Sequence, residues 1–312
     1  MTNLKVKFCG VEFENPTVLA SGVLGVTAAS LKNVIKHGAG GVTTKSIWLE
    51  EHQGHANPTM FGTEHYFLNA VGLSDAGIEK AEGLFAEYGV PGERPAPIIA
   101  SIVAGQADEF AELAEKVVAL QPDMIEVNIS CPNIEDEFGI AFACDAMQAA
   151  NVTEIVKKKM EEIGSKIPVI IKLSPNVPNI SRIAVACADK GADGFCAINT
   201  IGPGMGIDID TRTPILKNKV GGLSGPAIKP IAVKMVHDIV KTTGLPVIGT
   251  GGVMTGEDAI EMMMAGATLV GIGTMVYYRD AGGFGEVVKE MDAWCEKEGV
   301  KDLGEIIGSV KI

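Results

Sequence analysis

The sequence predicts an α/β fold, a (β/α)8 TIM barrel with an N-terminal β-hairpin and long loops at the C-terminal face. Three observations carry that expectation. Eight short apolar runs rich in Val and Ile alternate with helix-like runs, the pattern of parallel strands buried on both faces. No Gly-x-Gly-x-x-Gly follows the first strand, which argues against the competing open, doubly wound sheet. The longest connections all leave the carboxyl ends of strands, the face where barrel enzymes keep their active sites.

The eight strands are expected at 17–21, 41–46, 97–104, 124–130, 168–174, 194–200, 246–252 and 269–275. Residues 4–14 alternate as a small hairpin expected to cap the amino-terminal end of the barrel. A helix over 108–120 places Phe110, Leu113, Val117 and Leu120 on one face, and one over 231–240 places Met235 and Ile239 likewise. Thr255 and Asp258 form a capped helix start, and glycines 38, 191, 244 and 266 suit left-handed helix ends. Residues 47–78, 131–144 and 201–226 read as long loops after strands 2, 4 and 6, and loops of such length usually serve function. The whole chain, 1–312, reads as one barrel domain, since barrels of about 250 residues fold as a unit.

Composition excludes several classes. Hydrophobic residues are 46% and charged residues 21%, which rules out disorder. A net charge of −13 repels a phosphate backbone, so no nucleic-acid partner is expected. The run Lys157-Lys158-Lys159, followed by Glu161 and Glu162, reads as a solvated helix face. No apolar run approaches the 18 or so residues of a membrane span, and the N-terminus has no signal-like apolar region. No membrane association and a cytoplasmic location are therefore expected. The six cysteines form no CxxC, no histidine accompanies them at metal-ligand spacing, and neither a metal site nor an iron–sulfur cluster is expected on this chain.

The last two strands end in Gly249-Thr250-Gly251-Gly252 and Gly271-Ile272-Gly273-Thr274, at the common phosphate cradle of such barrels. Lys45 and Lys172 sit at strand ends, where a buried lysine needs an anionic partner or a reacting group. Either could be a Schiff-base nucleophile, a cation against the electron-rich edge of a flavin, or a side chain snorkelling to the rim. Asn128-Ile129-Ser130-Cys131-Pro132-Asn133 ends strand 4, with Asn128 and Ser130 on one face and Cys131 opening the loop. Asn69 and the pair Asn199-Thr200 add further amide and hydroxyl groups, a set suited to a planar imide ring. Cys131 is the one cysteine placed to exchange a proton with a ligand. His52, His55 and His65 are read as surface residues.

Four segments carry a resemblance to a known family: Asn-Ile-Ser-Cys-Pro-Asn (128–133), Ile-Lys-Leu-Ser-Pro-Asn (171–176), Gly-Gly-Leu-Ser-Gly-Pro-Ala-Ile-Lys-Pro (221–230) and Phe-Leu-Asn-Ala-Val-Gly-Leu (67–73). Together they resemble the dihydroorotate dehydrogenases over nearly the whole chain. The resemblance implies an FMN-dependent oxidation of (S)-dihydroorotate to orotate in pyrimidine biosynthesis. A loop cysteine as base is the mark of class I, and Ile-Asn-Thr (198–200) with Thr-Arg-Thr-Pro-Ile-Leu (211–216) resembles the NAD-linked subclass. That subclass implies a partner subunit carrying FAD and a 2Fe-2S cluster, in a heterotetramer of two catalytic and two partner chains.

By the same resemblance, Cys131 is the catalytic base. Lys45, Asn69, Ala70, Val71, Gly72, Leu73, Asn128, Asn133, Asn199 and Thr200 contact the pyrimidine. Ser21, Lys45, Ser46, Ser101, Asn128, Lys172, Ile198, Gly225, Gly251, Gly252, Gly273 and Thr274 contact FMN. Ser101 departs from the asparagine common in the family, which puts one hydrogen bond to the flavin ring in question. The rival readings are a dihydropyrimidine dehydrogenase catalytic subunit, a fumarate-linked dihydroorotate dehydrogenase, a Schiff-base aldolase using Lys172, and a non-catalytic flavin carrier.

Overall fold

A computed structural model describes residues 2–130 and 141–311. Cys131, Asn133 and most of the expected 131–144 loop lie outside the described residues. In chain order the strands are β1 (Val6–Phe8), β2 (Val11–Phe13), β3 (Thr17–Leu19), β4 (Gly41–Thr43), β5 (Met60–Gly62), β6 (Phe67–Asn69), β7 (Ile98–Ile102) and β8 (Met124–Asn128). They continue as β9 (Val169–Lys172), β10 (Gly194–Ala197), β11 (Ile201–Gly204), β12 (Ile207–Asp208), β13 (Thr213–Pro214), β14 (Gly221–Ser224), β15 (Val247–Thr250) and β16 (Leu269–Ile272).

Strands β3, β4, β7, β8, β9, β10, β15 and β16 close a parallel barrel, each pairing with the next and β16 with β3. All eight coincide with strands expected from the sequence. The expected runs reach further toward the carboxyl end than the ladders do. Ser46, Ser130, Asn199 and Thr200 thus lie just past their strands, where side chains are free to face a ligand.

The hairpin β1–β2 seals the amino-terminal end, as expected. Phe8 and Phe13 are fully buried, each contributing about 1.5–3 kcal/mol by removal from water. The hairpin packs closely because the strands beneath begin with glycine, which leaves room for Phe13 and Cys9. A Cβ on Gly41 would lie 2.6 Å from the Phe13 ring, and one on Gly194 would lie 3.1 Å from Cys9 Sγ and 2.8 Å from the Pro246 carbonyl oxygen.

The helices form the outer layer, and several of their starts are capped by local side chains. Thr255 Oγ1 accepts from Asp258 N (3.3 Å) while Asp258 Oδ2 accepts from Thr255 N (2.9 Å), the reciprocal box expected from the sequence. The helix Ala107–Ala119 buries Phe110, Leu113, Ala114 and Val117. The helix Lys229–Thr243 differs from its expectation. It starts two residues earlier, and the row it buries is Ala232, Val236 and Ile239, which leaves Met235 half-buried at the flank.

The two long connections expected as loops after β4 and β10 are not loops throughout. They meet in an antiparallel sheet of order β11-β14-β6-β5, with β12–β13 as a further ribbon. Gly222 pairs with Asn69 across β14 and β6, so two segments about 150 residues apart in sequence build one wall over the barrel mouth. Each strand is only two to four residues long, and glycine interrupts the alternation, which hid the strands in the sequence. Among the described residues no helix is long and apolar enough to cross a membrane.

Candidate active site

A cleft of about 1160 Å³, open mouth included, lies between the carboxyl ends of the barrel strands and this added sheet. Asn128, Lys172 and Ile198 come from the barrel. Gly251, Gly252, Gly273 and Thr274 come from the turns after β15 and β16. Asn69 and Val71–Leu73 come from the sheet side.

The floor is a continuous hydrogen-bonded chain. Asn199 Nδ2 donates to Ser130 Oγ (2.9 Å), and Ser130 Oγ donates to Asn128 Oδ1 (2.9 Å). Asn128 Nδ2 donates to Ser46 Oγ (2.9 Å), which lies 2.9 Å from Ser101 Oγ and 3.3 Å from Ser21 Oγ. Ser101 Oγ donates to Glu126 Oε1 (2.9 Å). Glu126 in turn lies 3.7 Å from Lys172 Nζ. A buried polar group without a partner is costly, and this chain satisfies its members through one another across the ends of several strands. The ladders make that possible by setting Asn128 opposite Lys172 and Ser101 opposite Glu126.

Lys45 reaches the cleft from just after β4 and donates to Ser74 Oγ (2.8 Å). Burial pulls its ammonium below the usual lysine range, opposed by the charge of Asp75. Burial likewise pushes the Asp75 carboxyl up, against the backbone N–H groups of Gly77 and Trp48 that it accepts. Two lysines in one cleft favour an anionic or electron-rich ligand.

At the far side the backbone turns sharply. Gly251 (φ +132°) and Gly252 (φ +78°) occupy conformations that only glycine adopts freely, and a Cβ on Gly252 would lie 2.6 Å from Lys229 Cβ. Thr274 Oγ1 donates to Ser224 Oγ (2.8 Å) and ties this turn to the added sheet. The arrangement leaves bare main chain facing the cleft, as a phosphate group requires.

Most of the residues picked out from sequence share this one cleft: Ser21, Lys45, Ser46, Asn69, Val71, Gly72, Leu73, Asn128, Lys172, Ile198, Asn199, Thr200, Gly251, Gly252, Gly273 and Thr274 all line it. Three do not form its wall. Ala70 is buried behind, its carbonyl oxygen 3.1 Å from His55 Nδ1. Ser101 is wholly enclosed beneath Ser46. Gly225 sits beside Thr274, where its added Cβ would be 3.5 Å from Thr274 Cγ2. Cys131 and Asn133 are outside the described residues.

Two of the histidines taken for surface residues are not. His52 stacks on Trp48 at 4.7 Å and His55 braces the 70–72 turn, so both are half-buried supports of the wall; His65 is exposed. Glu126, only 2% exposed, is a further buried member of the site, and its signal in the sequence is a lone carboxylate two residues before Asn128 in an apolar run. Phe67 and Tyr277, stacked at 4.5 Å on the cleft wall, carried no such mark.

Residues 3–294 match the profile of the dihydroorotate dehydrogenase family. The chain belongs to the dihydroorotate dehydrogenase family. It is 46% identical over 309 residues to the dihydroorotate dehydrogenase B (NAD(+)) catalytic subunit of Methanocaldococcus jannaschii, covering 98% of this chain and 97% of that one. The proteins of the same description from Methanosarcina mazei (44% over 301 residues, 96% and 92% covered) and Geobacter sulfurreducens (40% over 314 residues, 99% of each) are similar too. Dihydroorotate dehydrogenases use a flavin, and the donor set of the cleft fits one. Amide and hydroxyl groups suit the polar edge of a flat ring, two ammonium groups suit negative charge on it, and bare glycine turns suit a phosphate.

Proposed function

We propose that this chain oxidises (S)-dihydroorotate to orotate in pyrimidine biosynthesis, with FMN in the cleft, as the catalytic subunit of an NAD-linked enzyme. The observation that carries the reading is the convergence of Asn69, Asn128, Asn199 and Thr200 with Lys45 and Lys172 in one cleft beside the glycine turns. Relatives alike over nearly their full length bear that activity in their names.

In this reading Asn69, Val71–Leu73, Asn128, Asn133, Asn199 and Thr200 orient the pyrimidine through its amide edges, with Ala70 behind them, and Lys45 offers its ammonium to the substrate's charge. Ser21, Ser46 and Lys172 hold the polar part of the flavin ring; Gly251, Gly252, Gly273 and Thr274, with Gly225 behind, receive the phosphate. Ser101 acts from beneath, through Ser46. Cys131 takes the proton from C5 of the substrate, and FMN, when bound, supplies the acceptor for the hydride leaving C6. The added sheet covers the ring and keeps water from it. Electrons then leave through a partner subunit with FAD and a 2Fe-2S cluster, in an assembly of two catalytic and two partner chains.

The test is an anaerobic titration of the purified, FMN-loaded chain with dihydroorotate, read at the flavin absorbance maximum. Stoichiometric bleaching by dihydroorotate but not by dihydrouracil is expected. Bleaching by dihydrouracil alone would assign the chain to the dihydropyrimidine dehydrogenases. A colourless protein trapped by borohydride would make Lys172 a Schiff-base residue instead.

A further inference from the structure

Glu126 is a charged residue that the cleft does not use directly. It stands on β8, two positions before Asn128 and on the same side of the strand, yet it is 2% exposed and does not line the cleft. Its carboxylate gathers donors from both neighbouring strands. Ser101 Oγ of β7 donates to Oε1 at 2.9 Å, Lys172 Nζ of β9 lies 3.7 Å from the same oxygen, and the Cys196 thiol of β10 faces it from one strand further. Lys172 is the one of these that also lines the cleft. The ammonium is therefore the upper end, and the carboxylate the lower end, of a buried charge pair. Ion pairs of this kind are poor sources of stability, because packed apolar residues serve the core as well or better. A carboxylate at this depth has more effect on the charge its partner presents.

We propose that Glu126 is a positioning residue: it fixes the Lys172 ammonium beneath the cleft and offsets part of its charge, so that a flavin bound above meets a tempered positive field. The inference rests on the reading of the cleft as an FMN site. It requires that removing the carboxylate's charge, with its shape kept, lets the flavin ring accept an anionic adduct more readily, and that part of the effect runs through Lys172.

Sulfite tests this without turnover, since it adds to oxidised flavins and leaves negative charge on the ring. Glu126→Gln keeps the side-chain size and an acceptor for Ser101. Titrated with sulfite and read by flavin absorbance, E126Q is expected to bind about tenfold more tightly than wild type, the scale of losing one partly buried charge several ångströms away. In the Lys172→Met background only the direct field of the carboxylate remains to be lost, and not its hold on the ammonium, so the same change is expected to tighten sulfite binding by a clearly smaller factor. Unchanged or weaker binding in E126Q overturns the inference, and so does tightening of undiminished size in K172M. If E126Q does not fold, Glu126→Asp withdraws the carboxylate from Lys172 and is expected to tighten binding by a smaller factor; no change overturns the proposal. A wild-type chain that takes up no FMN would sink the reading of the cleft and this inference together. Normal FMN uptake with indifferent variants sinks the inference alone.

Discussion

Asn199 and Ser130 are locked together across the barrel mouth: the Asn199 amide donates to the Ser130 carbonyl oxygen at 3.1 Å and to its hydroxyl at 2.9 Å. Ser130 immediately precedes position 131. The end of strand β10 thus fixes the point from which the segment carrying Cys131 departs. Asn199 also lines the cleft, so one side chain both holds Ser130 and faces the cleft. Asn199→Ala removes these two hydrogen bonds and the one its Oδ1 accepts from Thr200 N (2.8 Å), each worth roughly 0.5–1.5 kcal/mol. Steady-state assay with dihydroorotate is expected to show kcat/KM reduced about 10–100-fold, with FMN content unchanged.

Cys131 itself is tested by flavin reduction. Cys131→Ala is expected to slow reduction by dihydroorotate about 10²–10⁴-fold, the usual contribution of a general base. FMN is expected to stay bound, since the cleft wall of the described residues is untouched. Cys131→Ser retains part of the rate, and that part grows as pH rises, because a hydroxyl is a weaker acid than a thiol. Stopped-flow traces between pH 6 and 10 check both; an unaltered rate in the alanine variant removes the cysteine from the mechanism.

The barrel was legible because each strand is a short apolar run rich in Val and Ile, bounded by turn residues and repeated eight times in alternation with helix-like runs. The site was legible where polar residues end such runs, as at Asn128, Lys172 and Asn199. Two kinds of feature escaped. The sheet over the mouth pairs β6 with β14, and nothing local in Phe-Leu-Asn or Gly-Gly-Leu-Ser says that they meet. Its stability comes from tertiary contact, such as Leu68 and Leu216 buried beneath it, rather than from propensity. Depth escaped as well. Ser101 and Ser46 look equivalent in sequence, but β7 carries Ser101 inside its ladder while Ser46 lies three residues past the end of β4, so one is enclosed and the other faces the cleft.

The remaining thiols make a contrast with Cys131 that alkylation can read. Burial pushes the Cys9 thiol up to about 12 and the Cys187 thiol up to about 11, and raises Cys196 further. At pH 8 these three are protonated and shielded, and the thiolate is the reactive form. Brief treatment of the folded protein with iodoacetamide, followed by peptide mass mapping, is expected to leave all three unmodified. Labelling of Cys9 at a rate near that of a free thiol would contradict its burial against the Asp193 carbonyl oxygen, 3.3 Å away.

Lys45 separates stability from function. Its ammonium is drawn below the unfolded-chain value of 10.5 mainly by burial, so the native state holds the proton less firmly than the unfolded chain does. The charged form therefore weakens the fold at neutral pH. That penalty is relieved as pH climbs through the depressed native value toward 10.5, where the unfolded chain still binds the proton and the native state sheds it. Lys45→Met removes the penalty at pH 7. Asp75 loses a favourable charge in exchange, a small effect, since backbone N–H groups contribute more to holding it. The FMN-free variant is expected to melt above wild type at pH 7, with the gap narrowing by pH 10. Binding changes in the opposite sense: losing a charge-assisted contact worth roughly 1.5–3 kcal/mol weakens dihydroorotate binding about 10–150-fold. Paired thermal melts at the two pH values, with KM for dihydroorotate, check both halves. A variant that melts below wild type at pH 7 would mean that the ammonium stabilises the fold.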